Sequence, residues 1–154
     1  MATIRQATAA DLQELATLYR QTVLTHAPHY YTPAQTTVWA EAADAESFHP
    51  LILAVTTYLA VDDSGIVGFA GLGADGHVAS VYVRHDRVHQ GIGSRLLQTI
   101  LDQAQRQALP RLYAEASELS LGLFKKFGFR CYDTEVAHRS GVLFKRYLVE
   151  RYLG

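Results

Sequence analysis

Val81 to Leu97, VYVRHDRVHQGIGSRLL, is the stretch on which the reading of the chain turns. Val81-Tyr82-Val83 reads as the end of an apolar strand, followed by a polar loop from Arg84 to Gln90. Gly91-Ile92-Gly93-Ser94 then opens a helix with Leu97, Ile100, Leu101, Ala104 and Ala108 on its inner face, at helical spacing. The first N–H groups of a helix lack intrahelical acceptors, and the macrodipole places about half a positive charge there. Glycines let an anion approach that backbone without meeting a Cβ. The pattern therefore suggests main-chain amides holding a phosphorylated ligand. A tight strand-to-helix turn would carry the same glycines.

Two common phosphate motifs do not fit. A Walker loop needs Gly-Lys-Ser/Thr, and no lysine lies between Gly91 and Leu97. A dinucleotide fingerprint needs its first glycine directly after the strand and a third at position 96, which is Leu96. The spacing left over is Q/R-x-x-G-x-G/A, here Val88-His89-Gln90-Gly91-Ile92-Gly93, with valine at the Gln/Arg position.

Outward from this loop, the N-terminal side predicts a short strand over 4–7 and a helix to about Leu24. Thr8 and Asp11 form its capping box, and Leu12, Leu15, Leu18, Tyr19 and Val23 its apolar stripe. Ala27-Pro28 breaks the pattern and leaves His26, His29, Tyr30 and Tyr31 in a loop. Thr32-Pro33 reads as N-cap and first position of a second helix carrying Trp39. Residues 44–50 read as irregular. Strands over 57–61, 66–72 and 77–83, separated by DDSG and GADG turns, predict an antiparallel meander.

Beyond the loop, the helix stops before Pro110, and Arg111 to Ala116 reads as a strand parallel to the third meander strand. Ser117 caps a fourth helix to Phe127, with Gly128 just past its end. Two long strands, 129–138 and 141–153, close the chain around Arg139-Ser140-Gly141. The order β-α-α-β-β-β-α-β-α-β-β argues a single α+β domain over residues 1–154. It implies a mixed, largely antiparallel sheet of six to seven strands flanked by four helices.

Composition sets the outer bounds. The chain has 154 residues, 49% hydrophobic and 19% charged, with a net charge of −1. That balance favours neither nucleic acid nor an anionic membrane as partner. One cysteine, Cys131, rules out an internal disulfide. The N-terminus lacks a basic region followed by an apolar stretch, and the run 51–61 is too short to span a bilayer, so a cytoplasmic location is expected.

The element order and the glycine loop resemble the GNAT superfamily of N-acetyltransferases over almost the whole chain. Tyr31-Thr32-Pro33-Ala34-Gln35-Thr36-Thr37-Val38-Trp39 is similar to the Y-S/T-x-x-Q-x-x-x-W stretch of a small bacterial subfamily. Glu115 to Phe129, and Gly141-Val142 with Tyr147, resemble that group's fourth-helix segment and closing strand. The resemblance implies acetyl-coenzyme A as donor and no metal. It carries pyrophosphate contacts to Val88, His89, Gln90, Gly91, Ile92, Gly93 and Ser94, pantetheine contacts to Val81 and Val83, and the thioester arm to Ser117 and Phe124. Many members place an acidic tyrosine where Phe124 stands, so that acid is absent.

For the base, His77 occupies the place of a glutamate used by histone-modifying members, and Glu115 is a second candidate. Each could instead be an ordinary strand-end residue. Alternation along a strand would put His77 on the side-chain face of Val81 and Val83. The aromatic segment with His26, Tyr31 and Trp39 would cover the acceptor. His26, His29 and His89 do not read as a metal set, because no carboxylate accompanies the i, i+3 pair. The expected activity is direct acetyl transfer to a small-molecule amine by a homodimer. The alternatives are a coenzyme A-binding module without transfer and a protein or peptide N-acetyltransferase.

Overall fold

The structure is a computed structural model that describes residues 2–154. Strand β1 (Thr3–Gln6) pairs with β2 (Thr56–Asp62), which pairs with β3 (Gly65–Leu72) and then β4 (Val78–Val83), all antiparallel. A second sheet has the order β5 (Arg111–Ala116), β7 (Val142–Tyr152), β6 (Arg130–Arg139), also antiparallel. The two sheets meet at one parallel bridge, His77 with Tyr113. The parallel direction expected for β5 is therefore right, but the continuous mixed sheet is interrupted at that point.

Five α-helices and three short 3-10 turns surround the sheets: α1 (Leu12–His26), α2 (Pro33–Glu41), α3 (Phe48–Leu53), α4 (Ile92–Arg106) and α5 (Leu121–Lys126). The extra helix, α3, falls where an irregular stretch was expected. It is six residues long, too short to show a helical period, and Pro50 sits in its first turn, where no intrahelical N–H is needed. Ala108 leaves the expected inner face of α4 because the helix ends at Arg106, and Ala108 adopts φ +56° beyond it. Helix α5 starts at Leu121 rather than after Ser117. Ser117 and Ser120 first close a turn, in which the Ser117 N–H donates to Ser120 Oγ and Ser117 Oγ accepts from the Leu119 N–H.

The four-stranded sheet carries a core on each face. Helix α4 buries Leu96, Leu97, Ile100, Leu101 and Ala104 with Val67, Ala70 and Val78, a cluster shared with Leu112 and Val149 of the other sheet. On the opposite face Leu15, Leu18, Tyr19 and Val23 of α1 pack with Phe48, Ile52, Leu59 and Phe69. Burial of this kind contributes about 1.5–3 kcal/mol per large apolar side chain. It fixes both helices against the sheet that presents β4. Gln35 ties α2 to the second sheet: it completes the α2 capping box with Thr32, and its Nε2 donates to the Leu143 carbonyl at 2.9 Å.

Candidate active site

Past the His77–Tyr113 bridge β4 and β5 diverge, and the opening is a cleft of ≈ 1300 Å³. At one end lies the glycine loop. His89 adopts φ +62° and Gly91 φ +82°, so the chain turns sharply before α4. The first α-helical bond runs from the Arg95 N–H to the Gly91 carbonyl, so the amides of Ile92, Gly93 and Ser94 precede it. A Cβ on Gly91 would meet no atom within 4 Å, whereas one on Gly93 would sit 3.1 Å from Leu123 Cδ2 and 3.4 Å from Val83 Cγ2. Gly93 is thus required by packing of α5 on α4, and Gly91 by backbone conformation. Lys126 of α5 reaches over the same helix start, donating to Ser94 Oγ at 2.9 Å.

Val88, His89, Gly91, Ile92, Gly93 and Ser94 all line the cleft, as do Val81 and Val83; Gln90 is exposed beside them. The Val83 carbonyl already accepts from Thr22 Oγ1 at 2.9 Å, which leaves it one lone pair. Ser117 lines the cleft where β5 ends. Phe124 is 3% exposed and packs edge-on against Phe129 at 5.0 Å, so its ring belongs to the core as well as to the cleft wall.

At the other end stand His77 and Glu115, both half-buried. Nε2 of His77 lies 2.9 Å from Glu115 Oε1 and 3.1 Å from Oε2. A carboxylate only accepts, so Nε2 carries the proton and Nδ1 the lone pair. The hydrogen bond to Glu115, outweighing burial, raises the His77 pKa above its ordinary value. The same bond lowers that of Glu115. The His77 ring stacks on Tyr113 at 5.0 Å, and Tyr113 donates to Asp75, which also accepts from the His77 N–H. Simple alternation does not carry from Val81 back to His77. The β3–β4 register slips at Gly71/Leu72, so that Val78 and Val81 both reach the α4-side core and the side-chain parity changes between them.

The aromatic segment forms the cleft wall. Tyr31 accepts from the Glu118 N–H at 2.9 Å and meets the Trp39 ring edge-on at 5.2 Å. Trp39 Nε1 donates to Tyr82 Oη at 3.2 Å, and burial drives the Tyr82 phenol well above its ordinary pKa. His26 lines the cleft, and its Nε2 lies 3.0 Å from the His85 carbonyl, bracing the loop entrance. The residues that sequence reading missed are Thr22, Tyr82, Lys126, Arg139 and Arg146. No periodicity marks them, although the Ser140-Gly141 turn, once its register is drawn, fixes Arg139 at the hairpin tip. Among the described residues no group of three His, Cys, Asp or Glu could hold a metal ion, and no helix is long and apolar enough to cross a membrane.

A family model described as "Acetyltransferase (GNAT) domain" matches residues 27–150. The chain is 32% identical to the L-methionine sulfoximine/L-methionine sulfone acetyltransferase of Pseudomonas paraeruginosa (strain DSM 24068 / PA7) over 144 residues, covering 83% of this chain and 80% of that protein. Among solved structures, it superposes on a GCN5-related N-acetyltransferase from Rhodopseudomonas palustris with a TM-score of 0.94 at 23% identity, covering 99% and 96% of the two chains. It superposes on the PaiA N-acetyltransferase of Thermoplasma acidophilum, in complex with coenzyme A, with a TM-score of 0.80 at 18% identity, covering 99% of each chain.

Proposed function

The chain belongs to the GNAT acetyltransferase family, and on that premise we propose that it moves an acetyl group from acetyl-coenzyme A to the amine of a small molecule. The observation that carries this reading is one cleft joining the α4 amides to the His77–Glu115 pair. The donor's phosphates sit on the amides of Gly91 to Ser94, beside Lys126. Its arm lies between β4 and β5, where Val81 and Ser117 face it.

The acceptor enters against Tyr31, Trp39 and Tyr82. His77, oriented by Glu115, takes a proton from the ammonium or from an intervening water through Nδ1. The neutral nitrogen attacks the thioester carbonyl, the N–C bond forms and the C–S bond breaks; the nitrogen then sheds its second proton to water as it becomes the amide, and the thiolate collects a proton in exchange. With phenylalanine at position 124 that last proton comes from solvent or a neighbouring group. Orientation of the two reactants in one cleft supplies much of the acceleration.

The aromatic wall favours a small acceptor over a peptide, and L-methionine sulfone is the first to try because the Pseudomonas relative is named for it. The whole chain works as one domain, in the cytoplasm where acetyl-coenzyme A is available. It acts as a homodimer: β6 is an outer strand, and Tyr132, Val136 and Leu143 are 42%, 60% and 52% exposed around it. The test is thiol release from acetyl-coenzyme A over an amine panel, with the acetylated product identified by mass. Coenzyme binding without release for any amine would leave the transfer reading untenable, and a monomer by sedimentation at micromolar concentration would remove the dimer.

A further inference from the structure

The β6–β7 hairpin brings positive charge to the cleft that the transfer chemistry does not use. Arg139, Lys145 and Arg146 all line it. Arg146 pairs with Glu135, and Lys145 lies over the Tyr147 ring at 5.0 Å. The cations at the donor end are also engaged, Arg87 with Asp62 and Lys126 with Ser94. Arg139 differs: among the described residues it makes no ion pair and no side-chain hydrogen bond. The acids of the cleft are taken, Glu115 by His77 and Glu118 by Tyr147. No described residue therefore competes for its guanidinium, which is exposed at the hairpin tip.

Its position is well defined. Arg139 pairs with Val142 across the two-residue turn Ser140-Gly141, in which both residues have positive φ. Such tight turns hold the strand ends in one register. The hairpin is tied to α2 through Gln35 and Leu143, and Phe144 packs toward Tyr31 at 6.3 Å. Arg139 is exposed at the hairpin tip and lines the cleft together with Tyr19 and Tyr82. The Glu115 carboxylate lines the same cleft.

We infer that Arg139 reads a carboxylate on the acceptor, so that the substrates are amino acids rather than simple amines. A zwitterion is oriented by this arrangement: its ammonium turns to the His77–Glu115 end and its carboxylate to the arginine. The planar fork of a guanidinium accepts a carboxylate in two parallel hydrogen bonds, which a lysine cannot reproduce. The inference rests on the transfer reading above and adds to it the class of acceptor.

The experiment compares L-methionine sulfone with 3-(methylsulfonyl)propylamine, which lacks only the carboxylate, and extends to other L-amino acids paired with their decarboxylated amines. Wild-type protein should favour the amino acid of a pair in kcat/KM. Arg139→Gln should reduce kcat/KM for the amino acid by about tenfold or more, mainly through KM, as loss of a charged two-point contact implies. The same variant should leave the matched amine and the calorimetric affinity for coenzyme A within about twofold, with Arg139→Lys intermediate. An unchanged amino-acid preference in Arg139→Gln, or an equal loss for both members of a pair, overturns the inference while transfer itself stands. No acetylation of either member by wild-type protein that binds coenzyme A overturns both.

Discussion

His77 and Glu115 are each other's partners: the imidazole Nε2 bonds the carboxylate at 2.9 Å, beside the His77–Tyr113 bridge where the two sheets meet. Two residues 38 positions apart, each a separate candidate for the base, form one unit. The bond sets the tautomer, leaving Nδ1 as the basic nitrogen, and it ties the chemistry to the point where the two sheets meet. Stacking on Tyr113, itself bound to Asp75, holds the ring from a second direction.

The pH dependence follows from the signs. Glu115 raises the His77 pKa, so the neutral, basic imidazole appears at higher pH than it would without the carboxylate. The activity limb in kcat/KM should rise with pH through that elevated value. Glu115→Gln removes the carboxylate and should move the limb to lower pH while lowering the plateau, and His77→Ala should abolish the limb and cost about a hundredfold or more. A limb that tracks the acceptor's own pKa in all three proteins would instead assign proton removal to water. For stability, the raised His77 contributes fully below its unfolded pKa and loses that contribution as pH rises through its folded value. The lowered Glu115 contributes above its unfolded pKa and loses it as pH falls through its folded value.

Gly91 and Gly93 should separate coenzyme binding from folding. Gly91→Ala places a Cβ in open space on a left-handed backbone, a strain of about 1 kcal/mol, beside the amides proposed for the phosphates. It should fold, lose little stability and bind coenzyme A at least about tenfold more weakly, since the added methyl and any relaxation of φ both disturb amides aimed at one anion. Gly93→Ala pushes on Leu123, so its loss should appear in the thermal midpoint rather than in the affinity of the folded protein. Calorimetry and thermal melts on both variants check this, and equal affinity in Gly91→Ala would remove the phosphate assignment.

The legible part of this fold was the part with period. The apolar runs of the meander between their turns, the Thr32-Pro33 helix start and the apolar stripe of α4 all lie where the sequence puts them. The loop glycines were legible because turns demand glycine. What could not be read depended on contacts between distant elements. A six-residue helix has no period, and the register slip at Gly71/Leu72 leaves no mark in composition. Nothing in the sequence pairs His77 with Glu115, since that bond needs β5 to lie beside β4. Arg139 was visible as a turn neighbour, and its place at the cleft follows from the packing of the hairpin on α2 and Tyr31.

Asp11 should govern part of the acid sensitivity. Its carboxylate accepts from both terminal nitrogens of Arg5, at 2.9 and 2.8 Å, and from the Thr8 N–H at 2.8 Å. The Arg5 bond, ahead of the other causes, lowers its pKa to about 2. The stabilisation is complete above the ordinary carboxylate pKa and disappears as pH falls through about 2. Asp11→Asn should cost about 1–2 kcal/mol at neutral pH, reduced from a fully buried pair because Arg5 is half exposed. The gap between the two proteins in urea midpoint should narrow steadily from pH 5 toward pH 2. A constant gap would mean that the loss comes from packing.

Ala108 offers a stabilising change. It stands just past α4 with φ +56°, and the Leu109 N–H bonds back to the Ala104 carbonyl at 3.0 Å, the closing bond of a left-handed helix end. A Cβ in this conformation costs about 1–2 kcal/mol, while glycine loses about 0.4–1 kcal/mol more chain entropy on folding. The difference favours glycine. Ala108→Gly should therefore stabilise by about 0.5–1 kcal/mol, which for a chain of this size is about 2–3 °C in Tm. The site is exposed, so no packing is lost. Gln105→Gly, one turn earlier on the exposed helical face, should do the reverse by about 1 kcal/mol. If both glycines destabilise alike, residue 108 is helical in solution and the left-handed end is wrong. If only Ala108→Gly stabilises, with an unchanged urea m-value, the gain comes from relief of backbone strain.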